Sequence, residues 1–143
     1  MAKKNNVADW SLALVRVYLG IMFALHGYQK LFVTGGLPGT AMFFSQVGIP
    51  YANIAAVVVA FVEFFGGLFL MAGLLTRLAA LILVIEMLVA FLKVHLKMGF
   101  FISPMVYGYE FILLIMAALL LLVLSGPGTL SLGRKLFKNK NLH

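Results

Sequence analysis

Two acidic residues within one apolar hairpin constrain the fold of this chain more than any other feature. The hairpin covers residues 54–96, turns at residues 76–77, and carries Glu63 on one arm and Glu86 on the other. A carboxylate at the centre of a membrane span costs about 2.5–3.5 kcal/mol on insertion scales. The first arm still inserts, because its 13 Leu, Ile, Val and Phe residues contribute about −6 kcal/mol against about +3 kcal/mol for the acid. Insertion therefore tolerates these acids without explaining them, and we expect each to have a partner or a function.

Composition places the chain among membrane proteins. Its 143 residues are 64% hydrophobic and 10% charged, which predicts a single integral-membrane domain over residues 1–143 in contact with the lipid bilayer. The net charge of +7 comes mostly from the chain ends and short turns. It therefore indicates membrane orientation and no nucleic-acid partner. The absence of cysteine excludes thiolate and iron–sulfur chemistry within this chain. We expect no metal and no haem, so a redox role would need a quinone, another cofactor or another subunit.

Four apolar stretches are long enough to cross a hydrocarbon core of about 30 Å. They cover residues 10–32, 54–75, 78–96 and 107–124. A short apolar segment between the first two predicts an interfacial helix over residues 41–47, with Thr40 as its N-cap. The predicted fold is all-α: a transmembrane four-helix bundle with a short interfacial helix between spans one and two.

The basic residues predict the orientation of this bundle. With four spans, both termini lie on one side of the membrane, together with the 76–77 turn. That side carries seven Lys and Arg residues, whereas the opposite side carries three. Basic residues favour the cytoplasmic side, so both termini are predicted to be cytoplasmic.

Helical periodicity directs the ionisable groups of each span toward the other helices, where polar groups are sheltered from lipid. Counted from the cytoplasmic ends, Arg16 lies ~9 Å deep, Glu86 ~12 Å and Glu63 ~18 Å. Arg16 is therefore the expected counter-ion for one of these two acids. Such a pair either fixes the register of the helices or forms one wall of a binding site, and the sequence leaves both interpretations open.

A second polar group is expected nearer the opposite side of the membrane. Its members are His26, Lys30, Lys93 and Glu110. Within it, His26 and Glu110 are the candidate catalytic residues, because an imidazole and a carboxyl can exchange protons with a bound head group. The two lysines have an alternative role, in which they extend to the membrane surface. His95 lies about 180° around its predicted helix from Glu86 and is expected to face away from this group.

Several stretches in this order resemble the DoxX family of small bacterial four-span membrane proteins. They are RVYLGIMFALHGYQK (16–30), EFFGGLFLMAGLLTRLAA (63–80), VHLKMGFF (94–101), GYE (108–110) and SGPGTLSL (125–132). The family pattern ends in an acidic residue, whereas this chain has Gly133 there. The resemblance implies a four-helix bundle in the bacterial inner membrane. It also implies a subunit linked to thiosulfate:quinone oxidoreduction or to oxidative-stress complexes.

The leading hypothesis is a membrane subunit of quinone-linked redox metabolism. A quinone-like amphiphile would enter from the bilayer and contact His26, Lys93 and Glu110. The surrounding charge network would consist of Arg16, Lys30, Glu63, Glu86 and Lys93.

Two other functions remain open from the sequence. One is a non-catalytic scaffold that anchors a soluble oxidoreductase, with the basic tail (residues 134–140) as its contact. The other is a proton-coupled transporter of small solutes, which the lack of an inverted repeat disfavours. A homo-oligomer is also open, because Gly66, Gly67 and Gly73 could pack against a second copy.

Overall fold

A computed structural model describes residues 7–103 and 108–136 of the chain. Within these residues the backbone forms six α-helices and one 3₁₀ turn. They are α1 (Val7–Phe32), α2 (Gly36–Gln46), α3 (Ala52–Ala72), α4 (Thr76–Lys93), the 3₁₀ turn (His95–Met98), α5 (Glu110–Ser125) and α6 (Leu132–Leu136). The predicted all-α class is therefore confirmed.

Two of these helices are long and apolar enough to cross a membrane, namely α1 and α3. Helix α5 is apolar but has 16 residues, and α4 carries Arg77, Glu86 and Lys93 among its 18 residues. The transmembrane character of α4 and α5 consequently stays a prediction. The predicted start of the fourth span at Tyr107 lies outside the described residues, as do the lysines at positions 3 and 4 and the basic tail beyond Leu136.

The short helix between the first two spans differs from the prediction. We expected it over residues 41–47 with Thr40 as its N-cap, but α2 begins at Gly36, and the Thr40 hydroxyl lies within the helix and donates to the Gly36 carbonyl at 2.8 Å. The helix begins early because Pro38 falls in its first turn, where a missing N–H removes no helical hydrogen bond. None of its residues is fully buried, and it packs mainly against α3.

Helices α1 and α3 run antiparallel in close contact, and glycines make that contact. A Cβ at Gly67 would overlap the backbone of Ala24, and one at Gly27 would overlap the backbone of Phe64. Small residues allow helix backbones to approach in this way. The contact fixes the register of the two helices, and it places the last turn of α1 beside the middle of α3.

The hydrophobic core connects this pair to α4 and α5. Its buried side chains include Phe23 of α1, Leu70 of α3, Leu83 of α4 and Leu119 of α5. Among the described residues, α1 contacts α3, α3 contacts α4, α4 contacts α5, and α5 contacts α1. The four longest helices therefore enclose one apolar core, on which α2 lies as a partial cover.

Candidate functional site

Arg16 lies at the end of the molecule where α3 turns into α4, and it is buried to 1% exposure. We expected it to pair with Glu86 or Glu63, and this expectation is wrong. Its Nη2 donates to the carbonyls of Leu130 at 3.2 Å and Thr129 at 3.5 Å. None of the described acidic side chains forms an ion pair with it.

The backbone that receives Arg16 is the segment after α5, which folds back over the helix ends. Gly126 and Gly128 have positive φ values of 82° and 69°, which glycine adopts at low steric cost, and they turn the chain here. Ser131 Oγ and the Gly133 N–H then both donate to the Gly73 carbonyl, at 2.8 Å and 3.0 Å. The hydrogen bonds that Arg16 donates are therefore among several that hold this segment in place.

Glu63 has a different counter-ion from the one expected, the ammonium of Lys30. The side chains of Lys30 and Glu63 are 20% and 8% exposed, respectively. The carboxyl of Glu86 lies against that of Glu63 and within electrostatic reach of Lys30. One Glu86 oxygen, Oε2, is buried and has no hydrogen-bond partner among the described residues. Lys30, Glu63 and Glu86 form what we call the acidic cluster: two carboxyls and one ammonium.

A cavity of about 960 Å³ adjoins the acidic cluster. Cavities of this size accommodate small organic ligands. Aliphatic and aromatic side chains of α2, α3 and α4 form most of its wall. Its polar side chains are His26, Gln29, Lys30, Thr40, Glu63, Glu86 and His95. The arrangement suits an amphiphile, with an apolar chamber for its body and a polar group at one wall for its head.

The structure brings together part of the predicted second group. His26 and Lys30 line the cavity with Glu63 and Glu86, and His26 is exposed. Lys93 and Glu110 do not line it. Lys93 is exposed at the end of α4. Glu110 instead accepts a hydrogen bond from the Ile102 N–H at 2.8 Å and so stabilises the turn before α5. The expected contact of Glu110 and Lys93 with His26 is therefore not found.

His95 is the cavity residue that sequence reasoning missed. We expected it on the far side of a regular helix, but α4 ends at Lys93 and His95 begins the 3₁₀ turn that follows. The tighter winding changes the direction of its side chain, and His95 lines the cavity. Position 94 is a valine and not a glycine or proline, so the local sequence does not indicate this change in winding.

These residues can supply proton exchange and hydrogen bonding to a ligand. Carboxyls and imidazoles are general acids and bases when a reacting group lies within hydrogen-bond reach. Across the described ranges, no group of three or more His, Asp or Glu side chains is arranged to hold a metal ion.

Comparison with known proteins identifies relatives over almost the whole chain. The DoxX family model matches residues 11–96. The chain is 33% identical to "Putative oxidoreductase CatD" of Bacillus subtilis, over 95% of this chain and 94% of the relative. It is 34% identical to "Uncharacterized membrane protein Rv3486" of Mycobacterium tuberculosis, over 90% and 82%. It is 30% identical to "Inner membrane protein YqjF" of Escherichia coli, over 94% and 98%. No solved structure matches.

Proposed function

Because the chain belongs to the DoxX family of membrane proteins, we propose that it is a redox-associated subunit that binds a quinone-type amphiphile in the cavity beside the acidic cluster. In this proposal α1, α3, α4 and α5 all cross the bacterial inner membrane, with both termini in the cytoplasm. The cavity then lies in the outer half of the bilayer, where a lipid-soluble ligand enters between the helices.

The observation that carries the proposal is the position of the acidic cluster on the wall of an apolar cavity. Charged groups within a membrane protein are costly and usually have a function. A cavity lined mainly by apolar side chains, with a few polar groups at one point, is typical of a site for a small organic ligand. A quinone has polar oxygens at the edge of its ring and an apolar tail. The oxygens suit the acidic cluster, and the tail suits the apolar part of the cavity.

The redox association is supported by the comparisons and by the chemistry of the cavity wall. The Bacillus subtilis relative is named an oxidoreductase. Reduction of a quinone to a quinol consumes two protons, so a quinone site needs groups that exchange protons. His26 supplies such a group, because it is exposed and lines the cavity. Glu110, which we had expected to share this role, has a structural role in the revised proposal.

Quinone binding by the purified full-length protein tests the proposal. The probes are a short-chain benzoquinone with a decyl tail and its quinol, titrated calorimetrically into protein in detergent. We expect saturable binding of this couple that weakens about tenfold or more in Glu63→Gln, because the substitution removes the charge that holds Lys30 at the cavity wall.

Glu110→Gln is the matched control, since it makes the same chemical change outside the cavity. It should leave the affinity within about twofold of the wild-type value. His26→Leu provides a second cavity variant at an exposed position, where the fold is less at risk. If neither form of the probe binds, or if Glu110→Gln and Glu63→Gln weaken binding equally, the site is misassigned.

A non-catalytic scaffold is the second candidate, and the exposed bases of α6 favour it. Arg134 and Lys135 are exposed there, at the start of the predicted basic tail, where an acidic partner or anionic lipid would meet them. In this case a soluble oxidoreductase should co-purify with the wild-type protein and be lost when both residues are changed to Gln. The wild-type protein itself would then not bind the quinone probe.

A further inference from the structure

We infer that a groove between α3 and α4 binds the apolar tail of the ligand whose head group lies in the cavity. This inference rests on the proposed function and adds the other half of the ligand, a long and flexible apolar chain. Its basis is that the groove continues the cavity along the contact between the two helices.

The groove has a volume of about 260 Å³, and the residues that line it are all apolar. On α3, the rings of Phe61 and Phe65 stack with their centroids 5.8 Å apart and line one side. On α4, Leu78 and Ile82 line the other side, and each is 42% exposed. The groove therefore opens outward, toward lipid in the proposed topology.

Small residues give the groove its depth. Gly66 of α3 and Ala79 of α4 line it between the larger side chains. The atoms nearest to a Cβ at Gly66 would be those of the Leu83 side chain at 3.4 Å, whereas a Cβ at Gly67 would overlap the backbone of Ala24. Gly67 thus brings two helices into contact, and Gly66 instead leaves space at the contact of α3 with α4.

The cavity and the groove follow one another along both helices. On α3, cavity residues lie within positions 55–63 and groove residues within positions 61–69. On α4, cavity residues lie within positions 82–90 and groove residues within positions 75–82. Both helices therefore place the groove nearer the turn that joins them and the cavity farther from it.

The two spaces meet at Val62 of α3 and Ile82 of α4, which line both. A chain attached to a head group at the acidic cluster can leave the cavity between these two aliphatic side chains. It then follows the groove from Phe61 to Phe69, which is about 12 Å along the axis of α3. In the proposed topology the tail points toward the cytoplasmic side of the membrane.

Packing, rather than the hydrophobic effect, favours this path for the tail. A chain that moves from lipid into an apolar groove gains little hydrophobic free energy, because both surroundings are apolar. The fixed side chains of the groove provide dispersion contacts. The bound head group also holds the chain beside the groove at a high effective concentration. We therefore expect the groove to have a moderate effect on affinity that is specific to the tail.

Two probes with the same head group separate the groove from the cavity. One is the decyl benzoquinone, and the other carries a methyl group in place of the decyl tail; both are titrated calorimetrically into the full-length protein in detergent. Gly66→Leu fills the groove and should weaken binding of the decyl probe at least about fivefold, because overpacking of an occupied space is unfavourable. It should leave the affinity for the methyl probe within about twofold. Each probe is compared with itself between variants, so its partition into the micelle cancels.

Ala117→Leu is the matched control, because it adds a leucine at an exposed position of α5 outside both spaces. It should leave both affinities within about twofold. Leu78→Trp, at an exposed position in the groove, should show the same selective loss and decides the question if Gly66→Leu does not fold.

The remaining outcomes separate this inference from the proposed function. Unchanged affinity for the decyl probe in Gly66→Leu assigns the groove to ordinary lipid and overturns the inference, as does an equal loss with both probes; either result leaves the proposed function intact. If the decyl probe alone binds the wild-type protein, its loss in Gly66→Leu relative to Ala117→Leu decides. If neither probe binds the wild-type protein, the inference and the proposed function are both wrong.

Discussion

Removal of the Lys30 ammonium should destabilise the protein more than removal of any exposed lysine. In Lys30→Met the side chain keeps most of its length, but Glu63 and Glu86 then face one another without a cation. Breaking a buried ion pair from one side costs about 3–5 kcal/mol. The Lys30 side chain retains 20% exposure, so we expect the lower end of this range, about 3 kcal/mol.

A double-mutant cycle separates the ion pair from the packing of each side chain. Glu63→Leu removes the other partner, and the double variant Lys30→Met/Glu63→Leu removes both members of the pair, with Glu86 as the remaining carboxyl of the acidic cluster. Replacement of both members of a buried pair by apolar residues is often close to neutral. The double variant should therefore cost about 2 kcal/mol less than the sum of the two single variants, which is within the range seen for contacting residues.

The assay is reversible unfolding in mixed micelles, followed by the helical circular-dichroism signal. Lys93→Met is the control, because it is an exposed lysine outside the cavity, and it should change the free energy of unfolding by no more than about 0.5 kcal/mol. If Lys30→Met costs no more than Lys93→Met, or if the single effects add in the double variant, the ion pair does not stabilise the fold.

Two further predictions concern packing and the segment after α5. Gly67→Ala should destabilise the protein by about 1–3 kcal/mol, because its Cβ would overlap the backbone of Ala24. Gly66→Ala is the control, because its Cβ would make an ordinary 3.4 Å contact with the Leu83 side chain; it should be neutral or stabilise the protein by up to about 1 kcal/mol. If thermal unfolding shows the same loss of stability in both variants, the close contact of Gly67 with Ala24 is wrong. Arg16→Met should accelerate amide hydrogen exchange of residues 126–133 by about tenfold, through loss of the bonds that Arg16 donates there; unchanged exchange would show that Arg16 does not anchor the segment.

Helical periodicity predicted the polar faces of the helices better than it predicted their partners. Glu63, Glu86, Lys30 and His26 share one cavity, as their inward positions suggested. The error lay in assigning partners from the depth of each Cα. The glycine contacts set Gly27 of α1 against Phe64 of α3 and so bring Lys30 to within about one turn of Glu63. Depth counted from each predicted helix end did not show this register.

The position of Arg16 could not be predicted because its partners are backbone carbonyls. Ser-Gly-Pro-Gly indicated the end of a helix, but turn residues do not show where the chain goes next. The long-range contacts of that segment with Gly73 and Asp9 depend on the packed ends of α1 and α3. His95 was missed for a related reason, since the switch to 3₁₀ winding after α4 has no local signal in its side chains.

Arg16 does not line the cavity, so under the proposed function the structural charge and the ligand-binding charges are separate. Arg16 and Lys30 are 14 residues apart on α1, about 21 Å along the helix axis. Effects of substitutions more than about 10 Å apart usually add. Arg16→Met should therefore lower stability without changing quinone affinity beyond about twofold, and its effect should add to that of Lys30→Met within about 0.5 kcal/mol. A coupling above about 1 kcal/mol would mean that the segment after α5 and the cavity respond to each other, which would make Arg16 part of a conformational mechanism rather than a fixed anchor.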